Sequence, residues 1–194
     1  MCSLGIIVRN KSVFVLVDVQ EKFIPVIDDI ERLISNADII VKAAGILKVP
    51  LVVTEQYPEG LGKTSGKISL PPDICPIEKT EFSCFGNKEF AEKIKELGAN
   101  SIVLFGIEAH ICILQTALDA LENKLDVYVV ADAVSSRTKE NKRIAIERMR
   151  QSGVFIVSTE MLLFQLLKKS GGFARRSPKG VGGEEFKQIS RLVK

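Results

Sequence analysis

Val13-Phe14-Val15-Leu16-Val17-Asp18 is an apolar, largely β-branched run that ends on a carboxylate. Four similar runs follow: Pro50-Leu51-Val52-Val53-Thr54, Ser101-Ile102-Val103-Leu104-Phe105 stopped by Gly106, Asp126-Val127-Tyr128-Val129-Val130-Ala131, and Val154-Phe155-Ile156-Val157. Such short, near-continuous apolar stretches suit strands buried on both faces. Between them the apolar period is helical, as in 28–48 with Ile30, Leu33, Ile34, Ala37, Ile40, Val41 and Ala44. Further helices are predicted over 87–97, stopped by Gly98, over 109–123, over 139–152, stopped by Gly153, and over 160–168 behind Thr159 as cap. A short strand is predicted over 74–77, and 57–72 reads as a long Gly, Pro and Ser loop whose length marks it as functional. Strands alternating with helices imply a three-layer α/β/α, doubly wound, mostly parallel sheet. In that architecture the site lies outside the carboxyl ends of the strands. The residues to weigh are therefore Asp18, Thr54-Glu55-Gln56, Glu78-Lys79 and the stretch from Gly106 to Cys112.

Composition agrees with a single domain. The 194 residues are 46% hydrophobic and 26% charged, which describes a globular chain, its core over about 10–168. No apolar run reaches the roughly 18–20 residues of a spanning helix, so no membrane partner is predicted. The opening residues lack the basic and apolar regions of a secretory signal. Four cysteines without a C-x-x-C pair read as reduced thiols, and a cytoplasmic location is expected. The single histidine, His110, excludes every site that needs two. Residues 168–194 hold eight basic and two acidic side chains, so this tail carries +6 of a chain whose net charge is +3, and the body is mildly acidic. The tail is expected to be a solvated terminus, and no nucleic-acid partner is predicted. Asp18 to Phe23 contains no glycine and there is no P-loop, so no nucleotide cofactor is expected, nor any other.

Cys112 falls between a buried strand and a helix. A helix N-terminus favours the thiolate, and its free N–H groups can hold an oxyanion. The alternative is a small buried hydrophobe. Asp18 and Lys79, also at strand ends, would project into the same crevice, where a carboxylate can take the thiol proton and an ammonium can stabilise the thiolate. Either could instead be a cap, a loop hydrogen bond or a surface residue. His110, two residues before Cys112, does not share its helix face and is a poor candidate base. Cys84 is the rival nucleophile, in a loop with no helix directly behind it. Cys2 and Cys75 lack an activating context.

The run Val13 to Gln20 with its terminal Asp18, then Lys79, then Gly106-Ile107-Glu108-Ala109-His110-Ile111-Cys112 followed by Gln115-Thr116-Ala117, resembles the isochorismatase-like cysteine hydrolase superfamily, over about 10–168. The string Val53-Thr54-Glu55-Gln56-Tyr57-Pro58, with Gly60-Leu61-Gly62 after it, is similar to that of the isochorismatase domain-containing proteins. The resemblance implies a Rossmann-like topology and a triad in which Asp18 is general base, Lys79 holds it, and the Cys112 thiolate attacks a small amide-like or related carbonyl substrate. It also implies a cis peptide at Ile107–Glu108, with the Glu108 N–H facing the oxyanion beside the Cys112 N–H, and a homo-oligomer, dimer or tetramer. Related nicotinamidases bind a metal through histidines after the second strand. Thr54-Glu55-Gln56-Tyr57 offers none, so no catalytic metal is predicted. The isochorismate-cleaving branch lacks the cysteine, so that reaction is disfavoured. Phe23, Gln56, Tyr57, Phe82 and Phe85 are the expected substrate-binding walls, or else plain core. The competing function is a non-catalytic ligand-binding or interaction protein that uses the basic stretch 170–179. Redox sensing by Cys112 with Cys84 is a third option.

Overall fold

The computed structural model describes residues 4–170 and 183–193. Six strands form one parallel sheet in the order β3-β2-β1-β4-β5-β6: β1 is Ser12–Val17, β2 Leu51–Gln56, β3 Ile77–Lys79, β4 Ser101–Gly106, β5 Asp126–Val134 and β6 Phe155–Val157. The helices are α1 (Ile30–Leu47), a single turn α2 (Pro58–Leu61), α3 (Lys88–Glu96), α4 (Leu114–Glu122), α5 (Lys139–Gln151), α6 (Thr159–Leu167) and α7 (Gly183–Leu192). This is the three-layer α/β/α fold with Rossmann-like strand order. Among the described residues no helix is long and apolar enough to cross a membrane.

The period-2 geometry of the strands divides the core. Phe14 and Leu16, Val103 and Phe105, and Tyr128 and Val130 face α1, α6 and α7, with Leu33, Ile40, Leu163 and Ile189. Val13, Val15, Val17, Ile102, Leu104, Val127 and Val129 face α3, α4 and α5, with Phe90, Ala117 and Met149. Strand order reverses between β1 and β4, and the crevice beyond their carboxyl ends is where such sheets bind ligands.

Several details differ from the sequence expectation, among them the turn α2 inside the stretch 57–72 expected to be a loop. The third strand starts at Ile77, not at residue 74, because Pro76 offers no N–H to a ladder; pairing begins after it and sets Lys79 opposite Gln56. The cap of α6 is Ser158, whose hydroxyl accepts from the Met161 N–H, while the Thr159 hydroxyl donates to Asp132 at 2.9 Å. The tail beyond 182 is not a solvated terminus: α7 packs on α1 and α6, with Ile189 fully buried, Phe186 against Phe164, and Glu185 joined to Arg9 through both oxygens at 2.9 Å. Residues 171–182, which hold most of the basic stretch expected to contact a partner, lie outside the described residues, as does Cys2.

Candidate active site

Gly106 brings the two halves of the site together. It ends β4 at a φ of 121°, and a Cβ there would stand 2.1 Å from the Val17 carbonyl oxygen. Only glycine lets the two backbones approach this closely. Val17 O then accepts from Ile107 N–H at 2.9 Å, which fixes the segment leading to Cys112 beside the residue that follows Val17, Asp18.

Asp18 takes a left-handed conformation (φ 53°), which a short polar side chain tolerates better than most. It is 1% exposed. Its Oδ1 accepts from the Thr54 hydroxyl at 2.7 Å and its Oδ2 from Lys79 Nζ at 2.7 Å. Lys79, also buried, further donates to Gln56 Oε1 at 2.6 Å and to the Glu81 carbonyl at 3.2 Å. Burial pulls the ammonium's pKa down, but Asp18 foremost, with the two nearby cysteines, outweighs it and leaves it above the ordinary lysine range.

Cys112 sits in a wide π-helical turn, Ala109–Ile113, ahead of α4, so the helix expected over 109–123 is two pieces. The charge of Asp18 acts on its side chain. The depressed thiol pKa expected from the helix N-terminus is not found. Burial first, and then the Asp18 charge, push the thiol well above its usual range, and Lys79 offsets this only in part. The thiol is therefore held in its protonated form beside the Asp18–Lys79 pair.

Cys84 lies close by, with its sulfur 3.9 Å from the Thr54 hydroxyl and its N–H donating to the Thr116 hydroxyl at 2.9 Å. It is fully buried, and burial lifts its pKa to about 11. Cys112, at 8% exposure, lines a cavity of about 330 Å³ and Cys84 does not.

That cavity gathers Asp18, Phe23, Gln56, Tyr57, Phe82, Ile107, Glu108 and Cys112. Lys79 stands behind Asp18. Phe85 is elsewhere: Ser83 caps the turn Cys84–Gly86, and the ring packs edge-on to Phe90 at 5.2 Å, lining a separate cavity of about 450 Å³ beside α3. Gln56 serves the site indirectly too, because its amide holds both Lys79 and the Thr80 carbonyl. His110 turns to Ser136 at 3.0 Å and to Asn141. The Ile107–Glu108 peptide is cis.

Leu61, Ile111 and Arg137 also line the cavity and were not foreseen. Arg137 follows β5, which runs to Val134 rather than to Ala131. Applying the strand-end rule to that longer strand points to Ser135-Ser136-Arg137. The guanidinium binds Glu108 through Nε at 3.1 Å and Nη2 at 2.7 Å, and the Arg137 N–H adds a third bond at 3.0 Å. Burial of Glu108 works against its charge, but Arg137 overrides this and holds the carboxyl below the usual range.

A profile of the isochorismatase domain matches residues 12–161. The chain belongs to the isochorismatase family. Isochorismatase domain-containing protein 2 of Danio rerio is 41% identical, over all of this chain and 92% of its own. The secreted isochorismatase effector Isc1 of Phytophthora sojae is 40% identical over 98% of this chain and 88% of its own. A solved structure described as the MAR1 ribonuclease of Caenorhabditis elegans superposes with a TM-score of 0.85 at 33% identity, covering 96% of this chain and 91% of that one. These place the isochorismatase-family chain in the cysteine hydrolase-like superfamily, close to the isochorismatase domain-containing proteins. The metal held by some of the wider family does not fit here. Glu55, in the position concerned, is committed to the Thr64 N–H and hydroxyl at 2.6 and 2.7 Å. Among the described residues no group of three or more His, Cys, Asp or Glu could hold a metal ion.

Proposed function

We propose that the protein is a metal-independent cysteine hydrolase of small amide-like or related carbonyl substrates, with Cys112 as nucleophile, Asp18 as general base and Lys79 as the group that holds Asp18. The observation that carries this reading is that Asp18, paired with Lys79 at 2.7 Å, lines the same cavity as Cys112, and that among the described residues Cys112 is a sulfur that both charges act on and that opens into that cavity. A raised thiol pKa is compatible with it, because the proton moves during attack rather than before. As sulfur bonds to the carbonyl carbon, its proton passes to Asp18 and the carbonyl π pair moves to oxygen. Collapse of that intermediate expels the amine, which takes the proton from Asp18. Water, deprotonated by Asp18, then attacks the thioester, and the returning proton restores the thiol as the acid leaves. The Glu108 and Cys112 N–H groups are the proposed oxyanion donors, each worth about 3 kcal/mol of barrier in comparable sites. Phe23, Tyr57 and Phe82 are the proposed walls for a small apolar or flat acyl group.

A screen of small amides against the wild type, Cys112→Ala, Asp18→Asn and Cys84→Ser is the test. Turnover should vanish in the first two variants and survive in the third, with an acyl adduct trapped on Cys112. Hydrolysis that persists in Cys112→Ala refutes the assignment. A homo-oligomer is part of the same proposal, and light scattering that gives the mass of one chain refutes that part.

A further inference from the structure

The cavity of about 450 Å³ that Phe85 lines is larger than the one over Cys112 and shares no lining residue with it. It runs along α3 from Phe85 to Ala99 and Leu125, which lead into β4 and β5. Its far end therefore lies toward the amino ends of those strands, and Cys112 follows a carboxyl end. The volume is within the range of small-molecule sites, about 300–1,000 Å³.

The wall is apolar: Phe85, Ala91, Ile94, Ala99 and Leu125. The short side chain of Ala91, on the inner side of α3, leaves space that a larger one would occupy. A ligand that covers such a wall is held in proportion to the apolar surface it takes from water. The rim is polar and carries charge. Lys88 is paired with Glu92 at 3.7 Å, and the Asn123 amide donates to the Asp119 carbonyl at 2.8 Å. Among the described residues Lys95 is in no ion pair, so the three charged groups of the rim leave one positive charge uncancelled, and it is at Lys95. A lysine can lay its stem on the apolar wall and keep its ammonium at the rim, where it meets an anion without being buried. Lys88 and Lys95 are seven residues apart, about 10 Å along the helix, which is the reach of an extended chain of about eight carbons.

We infer that this recess is a binding site for a medium-chain monocarboxylate, whose aliphatic chain lies on Phe85, Ala91, Ile94 and Leu125 and whose carboxylate meets Lys95. One uncancelled cation matches one negative charge; a doubly charged phosphate head would keep a charge unmatched. Neither Cys112 nor turnover at Cys112 enters into this site.

Isothermal titration of the full chain with octanoate, hexanoate and octanol is the test. Octanoate should bind once per chain. Hexanoate, shorter by two methylenes, should bind about ten-fold more weakly, and octanol, which lacks the charge, about two- to five-fold more weakly. K95E should weaken octanoate by at least as much and leave octanol unchanged. A91F, which fills the recess, should remove the binding of all three. No binding of octanoate at millimolar concentration overturns the inference, and a second copy of the chain covering the recess would produce that result. Octanol as tight as octanoate, with K95E silent, overturns it too. Octanoate undiminished in A91F overturns it by placing the ligand elsewhere, the cavity over Cys112 included. Should A91F fail to fold, amide exchange of the wild type decides: octanoate should slow exchange in α3 and the turn Cys84–Gly86, and protection confined to other segments overturns the inference.

Discussion

Lys79→Met tests the electrostatic frame of the site most directly. The ammonium is 2.7 Å from Asp18 Oδ2, and both side chains are sealed from solvent. At that distance the pair attracts by about 6 kcal/mol for an effective dielectric of 20, and desolvation of two ions takes much of it back. Removing one partner still leaves the other as an uncompensated buried charge, at a cost of about 3–5 kcal/mol. The Gln56 and Glu81 oxygens that Lys79 also satisfies would lose their donor. Urea unfolding of the wild type, Lys79→Met, Asp18→Asn and the double variant gives the coupling. The amide introduced by Asp18→Asn keeps an oxygen for the Thr54 hydroxyl, and with Lys79→Met in the same chain no buried charge of the pair remains. The double variant should therefore be at least about 2 kcal/mol more stable than the sum of the single losses predicts. A Lys79→Met loss below about 1 kcal/mol, or simple additivity, would show that the pair does not act as a buried unit.

Alkaline pH should expose the two thiols. Burial raises the pKa of both Cys84 and Cys112 in the folded state, so above the ordinary thiol range the unfolded chain gives up protons that the folded chain keeps. Stability falls there by up to about 1.4 kcal/mol per pH unit per thiol. Thermal unfolding should show the fall in the wild type and a shallower one in Cys112→Ser; parallel curves would contradict it. Gly106→Ala, whose Cβ meets the Val17 carbonyl, should cost more than about 4 kcal/mol, and a stable soluble variant would show that the close approach of β1 and β4 is not needed. Ile189→Ala should cost about 2–5 kcal/mol for the docking of α7, seen as faster amide exchange in α7 while the sheet stays protected; unchanged exchange would mean that α7 does not depend on this contact.

How much of this was legible in the sequence varies from residue to residue. Arg137 was missed because the Ala131-Asp132 step looks like the end of a strand. In the fold Asp132 accepts from the Thr159 N–H and hydroxyl, which satisfies its side chain and lets β5 continue to Val134. Phe85 looked like a pocket wall because it is near Lys79 in the chain, yet the turn capped by Ser83 directs it to Phe90. The tail looked solvated because it is charged, but an apolar Phe186 and Ile189 spaced three apart suffice to dock α7.

The apolar runs and their helical spacers determined the parallel three-layer fold by themselves, because a strand buried on both faces can be covered only by helices on each side. They also set Asp18, Lys79 and Cys112 at strand ends, since the ends are where such strands admit a polar side chain. Only the tertiary structure decided which of these face one another and in what charge state. The sulfur's pKa depends on the carboxylate, the ammonium and the depth of burial around it. Those arrive from β1, β3 and the turn after β4, and no local stretch of sequence contains their distances.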